Sequence, residues 1–151
     1  MASVLLILSQ RLKTANNIGY YMKITKTKIY YSWNDYKKDV KQIVKLKFPK
    51  TKIIYGIPKG GLPLAVTLSN ILSIPLALTY EEAIEKVNGD MSKLLICDDV
   101  SDSGNTLLKL KDANKAITIT LFKKDNTKFV PDIFLRTCKQ SCWILFPWEV
   151  I

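Results

Sequence analysis

The chain of 151 residues contains no histidine and few glycines or prolines, and these shortages limit what it can be. Without histidine, a Ser-His-Asp triad and a histidine-based zinc site are excluded, so proton transfer must use Asp, Glu, Lys, Tyr or Cys. Six glycines and six prolines rule out a collagen-like repeat. The apolar run at residues 4–8 is too short to span a bilayer, so no membrane partner is expected. The length suits one compact globular domain.

Cysteines and acidic residues are also few. Cys97, Cys138 and Cys142 form no CxxC pair and have no histidine as a co-ligand, so we expect reduced thiols and a cytoplasmic protein. Whether Cys138 and Cys142 could pair depends on geometry that the sequence does not contain. The chain has 13 acidic residues and 23 Lys and Arg residues, which gives a net charge of +10. That charge favours anionic partners, namely phosphorylated metabolites, nucleic acid or acidic membrane.

The first 21 residues differ from the rest of the chain. No basic segment precedes their short apolar run and no clear cleavage site follows it, so a signal peptide is not predicted. Ordered-looking patterning begins at Met22. We therefore interpret residues 1–21 as an N-terminal extension, loosely attached or preceding the natural start, and residues 22–151 as the domain.

The patterning after Met22 predicts a strand at Lys28–Tyr31 and then a helix. Ser32 and Asp35 are spaced as a capping box, with Ser32 as the N-cap. The apolar face of this helix is predicted to carry Trp33, Tyr36, Val40, Ile43 and Val44.

Two strand–loop–helix units follow, and they determine the predicted fold class. In the first, a strand at 52–55 leads through the loop 56–61 to a helix at 62–72; in the second, a strand at 94–97 leads through 98–106 to a helix from about 107. Further strands are predicted at 74–79, 116–122 and 129–135. Apolar strands that alternate with helices predict an α/β fold with a parallel, twisted sheet flanked by helices. Ligands of such sheets bind outside the carboxyl ends of the strands.

The loop after the second strand has the composition of an anion site. Asp98 and Asp99 end an apolar strand, and on extended backbone their side chains point to opposite sides. Residues 102–106 then bring Asp, Ser, Gly, Asn and Thr to the start of a helix, where backbone N–H groups and hydroxyls bind phosphate.

The loop after the first strand suggests a second phosphate site. Gly56, Gly60 and Gly61 surround Lys59 just past the strand, but the pattern matches neither a Walker A loop nor a Rossmann GxGxxG. A small molecule with phosphates at two ends and a diol between them would fit both loops.

Residues 94–106, LLICDDVSDSGNT, resemble the PRPP-binding motif of the type I phosphoribosyltransferases. The loop 56–61 is similar to the pyrophosphate loop of that family, which often contains a non-proline cis peptide bond; carried over, the bond lies at Pro58–Lys59. The stretches LFKK at 121–124 and WILFPWE at 143–149 are similar to the 6-oxopurine (xanthine-guanine) branch. The resemblance covers roughly residues 22–151.

The resemblance implies a purine salvage enzyme that moves the phosphoribosyl group of PRPP–Mg²⁺ to a 6-oxopurine and releases pyrophosphate. It implies that Asp98 and Asp99 hold the ribose hydroxyls and the magnesium, with Asp99 as the metal ligand. It makes Asp102 the general base or acid at the purine N7 proton.

The other implied roles concern the two substrates. The residues implied to bind PRPP are Ser103, Gly104, Asn105 and Thr106 at the 5′-phosphate, with Lys59 and Gly60 at the pyrophosphate. Lys124 would contact the purine 6-oxo group, with Lys123 as the alternative. Trp143 would stack on the base, and the Ile144 backbone would read its far edge. The family commonly forms homo-oligomers.

One departure from the family keeps other functions open. The long mobile loop that usually precedes the PRPP motif is reduced here to residues 80–92. This shortening and the positive charge leave room for a PRPP- or nucleotide-sensing regulatory protein that binds nucleic acid, although no nucleic-acid motif is present. A phosphoribosyltransferase for a pyrimidine base is the other alternative.

Overall fold

The computed structural model describes residues 24–25 and 28–149, which form two compact units. The larger unit is Lys37–Gln140; the smaller one combines the described residues up to Tyr36 with those from Ser141 onward. The predicted extension at residues 1–21 lies outside the described residues. In the described part of the chain, every helix is too short or too polar to cross a membrane.

The helices and strands of both units are numbered in chain order. They are β1 (Ile24–Thr25), β2 (Lys28–Tyr30), α1 (Trp33–Val44), β3 (Ile53–Gly56), α2 (Leu62–Leu72), β4 (Leu76–Ala77), α3 (Tyr80–Lys86), β5 (Leu94–Ser101), α4 (Asn105–Lys109), β6 (Ile117–Lys124), β7 (Ile133–Cys138) and β8 (Trp143–Leu145). Short 3-10 turns occupy Met91–Lys93 and Ala113–Lys115.

The larger unit is built on a five-stranded sheet in the order β4-β3-β5-β6-β7, in which all neighbours are parallel. Helix α2 covers one face, where the Cβ of Ala65 lies against Gly56. On the other face, Tyr80 and Ala83 of α3 join a buried cluster with Ile53. Because helices cover both faces, the central strands are apolar throughout rather than alternating. The predicted parallel α/β sheet flanked by helices is confirmed.

The smaller unit contains a three-stranded sheet in the order β1-β2-β8. Strand β2 runs antiparallel to β1 and parallel to β8, with Ile29 opposite Ile144. Its aromatic side chains pack together: the Tyr31 and Phe146 rings meet edge to face at 5.6 Å, and Phe146 stacks on Trp148 at 4.9 Å.

Helix α1 begins with the predicted capping box. The Asp35 N–H donates to Ser32 Oγ at 3.1 Å, and the Ser32 N–H donates to Asp35 Oδ2 at 3.0 Å. Tyr36, Val40 and Ile43 are buried as predicted, whereas Trp33 is 52% exposed and Val44 is only half-buried. Trp33 lies on the predicted face, since its ring meets the Tyr36 ring edge to face at 5.7 Å.

Strand β5 is longer than predicted, and this changes the setting of the two aspartates. The prediction ended the strand at Cys97, but pairing with β6 continues through Val100 opposite Phe122 and Ser101 opposite Lys123. The strand therefore does not stop at its carboxylates: Asp98 and Asp99 are part of it.

Several other predicted bounds were also wrong. The strand at 74–79 contracts to β4 because Thr79 caps α3, accepting the Glu82 N–H at 3.1 Å. The strand at 129–135 shifts to β7 because Asp132, before it, accepts the Thr118 N–H at 2.8 Å. Helix α4 runs from Asn105 to Lys109, so it starts earlier than the predicted residue 107. Local side-chain hydrogen bonds therefore determine bounds that hydropathy alone placed incorrectly.

Candidate active site

Residues 56–61 (the glycine loop) and residues 98–106 (the acidic loop) lie against each other at the carboxyl ends of β3 and β5. Gly56 pairs with Cys97 across the two strands, and the Ile57 N–H donates to the Cys97 carbonyl at 2.9 Å. A side chain at Gly61 would overlap that same carbonyl oxygen. The two segments predicted to form one cleft are therefore adjacent, and glycine is required for their close approach.

Asp99 occupies the space beside Gly60 where any other residue would carry its Cβ. Its side chain is buried, and its Oδ1 accepts the Val100 N–H at 2.7 Å. Asp99 is therefore the aspartate of the pair that faces the glycine loop, and Gly60 is the residue that it contacts.

Asp98, the preceding residue on β5, is half-buried, and its side chain interacts with that of Asp99. Its Oδ1 accepts the Asp99 N–H at 3.0 Å. Burial raises the pKa of Asp98, and the negative charge of Asp99 raises it further. A cation beside this pair would offset both effects and favour the ionised carboxylates.

These two carboxylates fit Mg²⁺ that arrives with a phosphorylated substrate. Among the residues that the structure describes, no three His, Cys, Asp or Glu side chains are grouped as a metal site. Mg²⁺ does not need such a group, since it usually binds one or two carboxylates together with waters and substrate phosphates. The aspartate pair supplies hard oxygen donors of that kind, and Asp99 is the predicted ligand.

The loop from Ser101 to Thr106 packs against Phe129 on one side and is exposed to solvent on the other. Ser101 Oγ donates to the Phe129 carbonyl at 2.7 Å. Gly104 has φ +80°, and a Cβ there would overlap the backbone of Phe129. The polar side chains predicted to bind phosphate are exposed; they are Ser103, Asn105 and Thr106. Their loop therefore presents hydroxyl, amide and backbone donors to solvent.

The peptide bond Pro58–Lys59 is cis, as the resemblance implied, and Lys59 is exposed.

The segment at residues 80–92 is mostly helical. Helix α3 and a 3-10 turn occupy most of it, and the Tyr80 hydroxyl donates to the Lys111 carbonyl at 2.6 Å. An open groove of about 630 Å³ lies between Pro58, the start of α3 and Lys109–Lys111.

The loop after β7 connects the predicted proton-transfer residue with the predicted purine-binding lysine. Asp102 is exposed, and its Oδ1 accepts a hydrogen bond from Gln140 Nε2. Lys124 is only 3% exposed, and its Nζ donates to the Lys139 carbonyl at 3.3 Å. Sequence reasoning missed Gln140, because no local pattern links residues that are 38 positions apart.

The alternative lysine has a different environment. Lys123 points to the opposite side of β6 from Lys124, as neighbouring strand residues must. It is half-buried, and its Nζ lies 5.3 Å from the centre of the Phe134 ring. This contact is a cation–π interaction of ordinary length, so the Lys123 ammonium already has a structural use on its own side of the sheet.

The other predicted purine-binding residues belong to the smaller unit. Trp143 and Ile144 begin β8; Trp143 is 63% exposed, whereas Ile144 is buried. The exposed indole is a surface on which a flat ring could stack, and the buried Ile144 can offer only its backbone. The exposure of Trp143 and the burial of Ile144 are compatible with the stacking and backbone roles that the resemblance implied, which stay predictions.

Comparisons with known proteins show similarity to purine phosphoribosyltransferases, although no protein-family model matches the chain. It is 28% identical over 136 residues to the xanthine-guanine phosphoribosyltransferase of Chromohalobacter salexigens, a match that covers 79% of this chain and 82% of that protein. A purine phosphoribosyltransferase from Pyrococcus horikoshii superposes with a TM-score of 0.65 at 30% identity, covering 82% of this chain and 95% of that one. The Helicobacter pylori xanthine-guanine-hypoxanthine phosphoribosyltransferase gives 0.64 at 26% identity, covering 82% and 92%.

Proposed function

The chain belongs to the type I phosphoribosyltransferase family, and from that premise we propose that it is a purine salvage enzyme for 6-oxopurines. It transfers the 5-phosphoribosyl group of PRPP to guanine, xanthine or hypoxanthine. The bond between the sugar C1 and pyrophosphate breaks, a bond from C1 to a purine ring nitrogen forms, and the purine loses one proton. The observation that carries this proposal is the contact between Gly60 and Asp99, which brings both predicted phosphate loops to one cleft.

PRPP binding follows from the two loops. The exposed donors of the loop at 103–106 hold the 5′-phosphate, and the backbone at Gly60 with the Lys59 ammonium meets the pyrophosphate. Asp98 and Asp99, which lie between these two loops in the chain, would hold the ribose hydroxyls and the Mg²⁺ ion. When bound, Mg²⁺ neutralises charge on the departing pyrophosphate. Lys59 adds a second positive charge at the same place.

In the larger unit, the purine is oriented by groups from β6 and the acidic loop. Lys124 donates to the 6-oxo group, and Asp102 accepts the N7 proton as positive charge develops on the base. For the smaller unit, the resemblance implies that Trp143 stacks on a purine ring and that the Ile144 backbone reads its far edge. A buried ammonium suits this role, because a hydrogen bond made away from water discriminates more strongly than one made in solvent.

A product assay tests the function. Protein, PRPP and Mg²⁺ are mixed with guanine, xanthine, hypoxanthine, uracil or orotate in parallel, and the nucleotide is detected by mass spectrometry. We expect nucleotide with at least one 6-oxopurine and none with the pyrimidines. Product with uracil or orotate alone would replace the proposal by its pyrimidine alternative, and no product with any base would reject it.

Replacement of Lys124 by methionine tests the purine-binding assignment. Methionine keeps much of the length of the buried side chain but removes its charge, so we expect KM for the purine to rise about tenfold, as for the loss of one hydrogen bond to a charged group. KM for PRPP should not change. The matched control is Lys123→Met on the opposite side of β6. If Lys123→Met raises the purine KM and Lys124→Met does not, the alternative lysine is the purine ligand.

We also propose that the protein is a cytoplasmic homo-oligomer. Its three cysteines are thiols rather than disulfides, which supports a reducing compartment. Helix α2 exposes Leu62, Val66 and Ile71, apolar side chains that a second subunit could cover. Light scattering coupled to size exclusion measures the mass directly, and a mass of 17.2 kDa for the chain in solution would reject an oligomer.

A further inference from the structure

A hydrogen bond holds the backbone of Gln140, and the side chain extends from there to Asp102. Its N–H donates to Asp125 Oδ1 at 2.9 Å, and the Asp125 N–H donates to the Cys138 carbonyl at 2.9 Å. The turn after β6 and the segment after β7 therefore hold each other. The side-chain amide that extends from this fixed backbone donates from Nε2 to Asp102 Oδ1 at 2.5 Å. A carboxylate can only accept, so the NH₂ group of Gln140 must be the half that faces it.

The neighbouring residue contacts the other polar group of the predicted purine site. The Lys139 carbonyl accepts from Lys124 Nζ at 3.3 Å. Two consecutive residues thus contact a carboxylate from the acidic loop and an ammonium from β6. The 6-oxo group and N7 lie on the same edge of a purine, so the two side chains assigned to them must also be close and correctly spaced.

Asp102 needs such a contact more than a buried residue would. Its side chain is exposed, and an exposed carboxylate samples several rotamers unless a partner holds it. A hydrogen bond to one carboxylate oxygen restricts those rotamers and leaves the other oxygen available for the purine. Proton transfer requires this accuracy, since catalytic groups must lie within hydrogen-bond reach of the proton that they move.

We propose that Gln140 is a positioning residue for Asp102, and that residues 139–140 together fix the spacing between the Asp102 carboxylate and the Lys124 ammonium. This inference rests on the proposed function, because it gives Gln140 a task only if Asp102 transfers a proton. It assigns to the segment after β7 a part in catalysis that the sequence did not reveal.

Three variants test the inference by steady-state kinetics with PRPP and a 6-oxopurine. Gln140→Ala removes the donor, and we expect kcat to fall about tenfold while KM for PRPP stays unchanged. Gln140→Glu places a carboxylate against Asp102; at neutral pH the two charges repel, and kcat should fall further. Gln42→Ala, the same substitution at a half-buried glutamine of α1, is the control and should match the wild type.

The pH profile separates positioning from a merely structural role. At acidic pH the glutamate introduced by Gln140→Glu gains a proton and becomes a donor to Asp102, so kcat of Gln140→Glu relative to Gln140→Ala should increase as pH falls. Asp125 and Lys124 also contact residues 139–140 through hydrogen bonds, and they are the same in both variants.

Each outcome has a defined meaning. Two results would overturn the positioning role while the proposed function stands. One is a wild-type kcat in Gln140→Ala. The other is an equal loss of kcat and of PRPP affinity in both variants, with the same pH profile for both. An inactive wild type would reject the proposed function, and the inference would fall with it.

Discussion

Replacement of Asp102 by alanine is expected to slow turnover by about 10²–10⁴-fold, the usual contribution of a general acid or base. Affinity for PRPP should remain close to that of the wild type, because the phosphate contacts come from residues 103–106 and from the glycine loop. Asp102 is exposed and its carboxylate meets the Gln140 side chain at the surface, so the fold does not depend on it. Isothermal titration of PRPP with Mg²⁺ and single-turnover kinetics measure the two quantities separately.

The control for this variant is Asp90→Ala. Asp90 is another exposed carboxylate, paired with Lys93 at 2.8 Å on the turn before β5, and it has no proposed role. It should match the wild type in both measurements. Equal losses of PRPP affinity and of turnover in Asp102→Ala would contradict a role confined to proton transfer.

Replacement of Gly60 by alanine is expected to weaken PRPP binding by about 5- to 150-fold, the range that corresponds to an overpacking cost of about 1–3 kcal/mol. The new methyl group would overlap the carboxylate of Asp99, which is buried and cannot turn into solvent without leaving its place. Either Asp99 or the backbone of the glycine loop must move, and both belong to the proposed site for PRPP and Mg²⁺. The loss should appear in titrations of PRPP with Mg²⁺.

Gly89→Ala provides a matched glycine control. Gly89 has φ +74°, so alanine is strained there, but no atom lies within 4 Å of the added Cβ. This variant should lose some thermal stability and keep its affinity for PRPP. If Gly60→Ala binds PRPP as tightly as Gly89→Ala does, the contact between Gly60 and Asp99 is not part of the PRPP site.

The sequence was sufficient to predict the fold class and the position of the central motif. Apolar strands that alternate with helices along the chain indicated a parallel sheet flanked by helices, and helices α2 and α3 do cover it. The capping box at Ser32 and Asp35 was also predictable, because its signal depends on residues three positions apart. The bounds of β4, β5 and β7 were not predictable, because they depend on pairing with distant segments and on side-chain caps.

Part of the candidate site was also predictable from the sequence, and part was not. The presence of paired aspartates, glycines and hydroxyls was plain from the sequence, as was the cis bond at Pro58–Lys59 once the family resemblance was used. The distribution of tasks between Asp98 and Asp99 was not, since it depends on which side of β5 the glycine loop covers. The roles of the individual residues toward PRPP, magnesium and purine stay predictions that the variants above can test.

By itself, the sequence determined which chemical groups the protein can use: no histidine, two carboxylates after an apolar strand, and two loops suited to phosphate. These properties are local and persist in any conformation of the chain. Tertiary structure alone decided that Gly60 meets Asp99 and that Gln140 reaches Asp102. Such contacts join residues far apart in the chain, and they exist only because the parallel strands bring the carboxyl ends of β3, β5, β6 and β7 to one edge of the sheet.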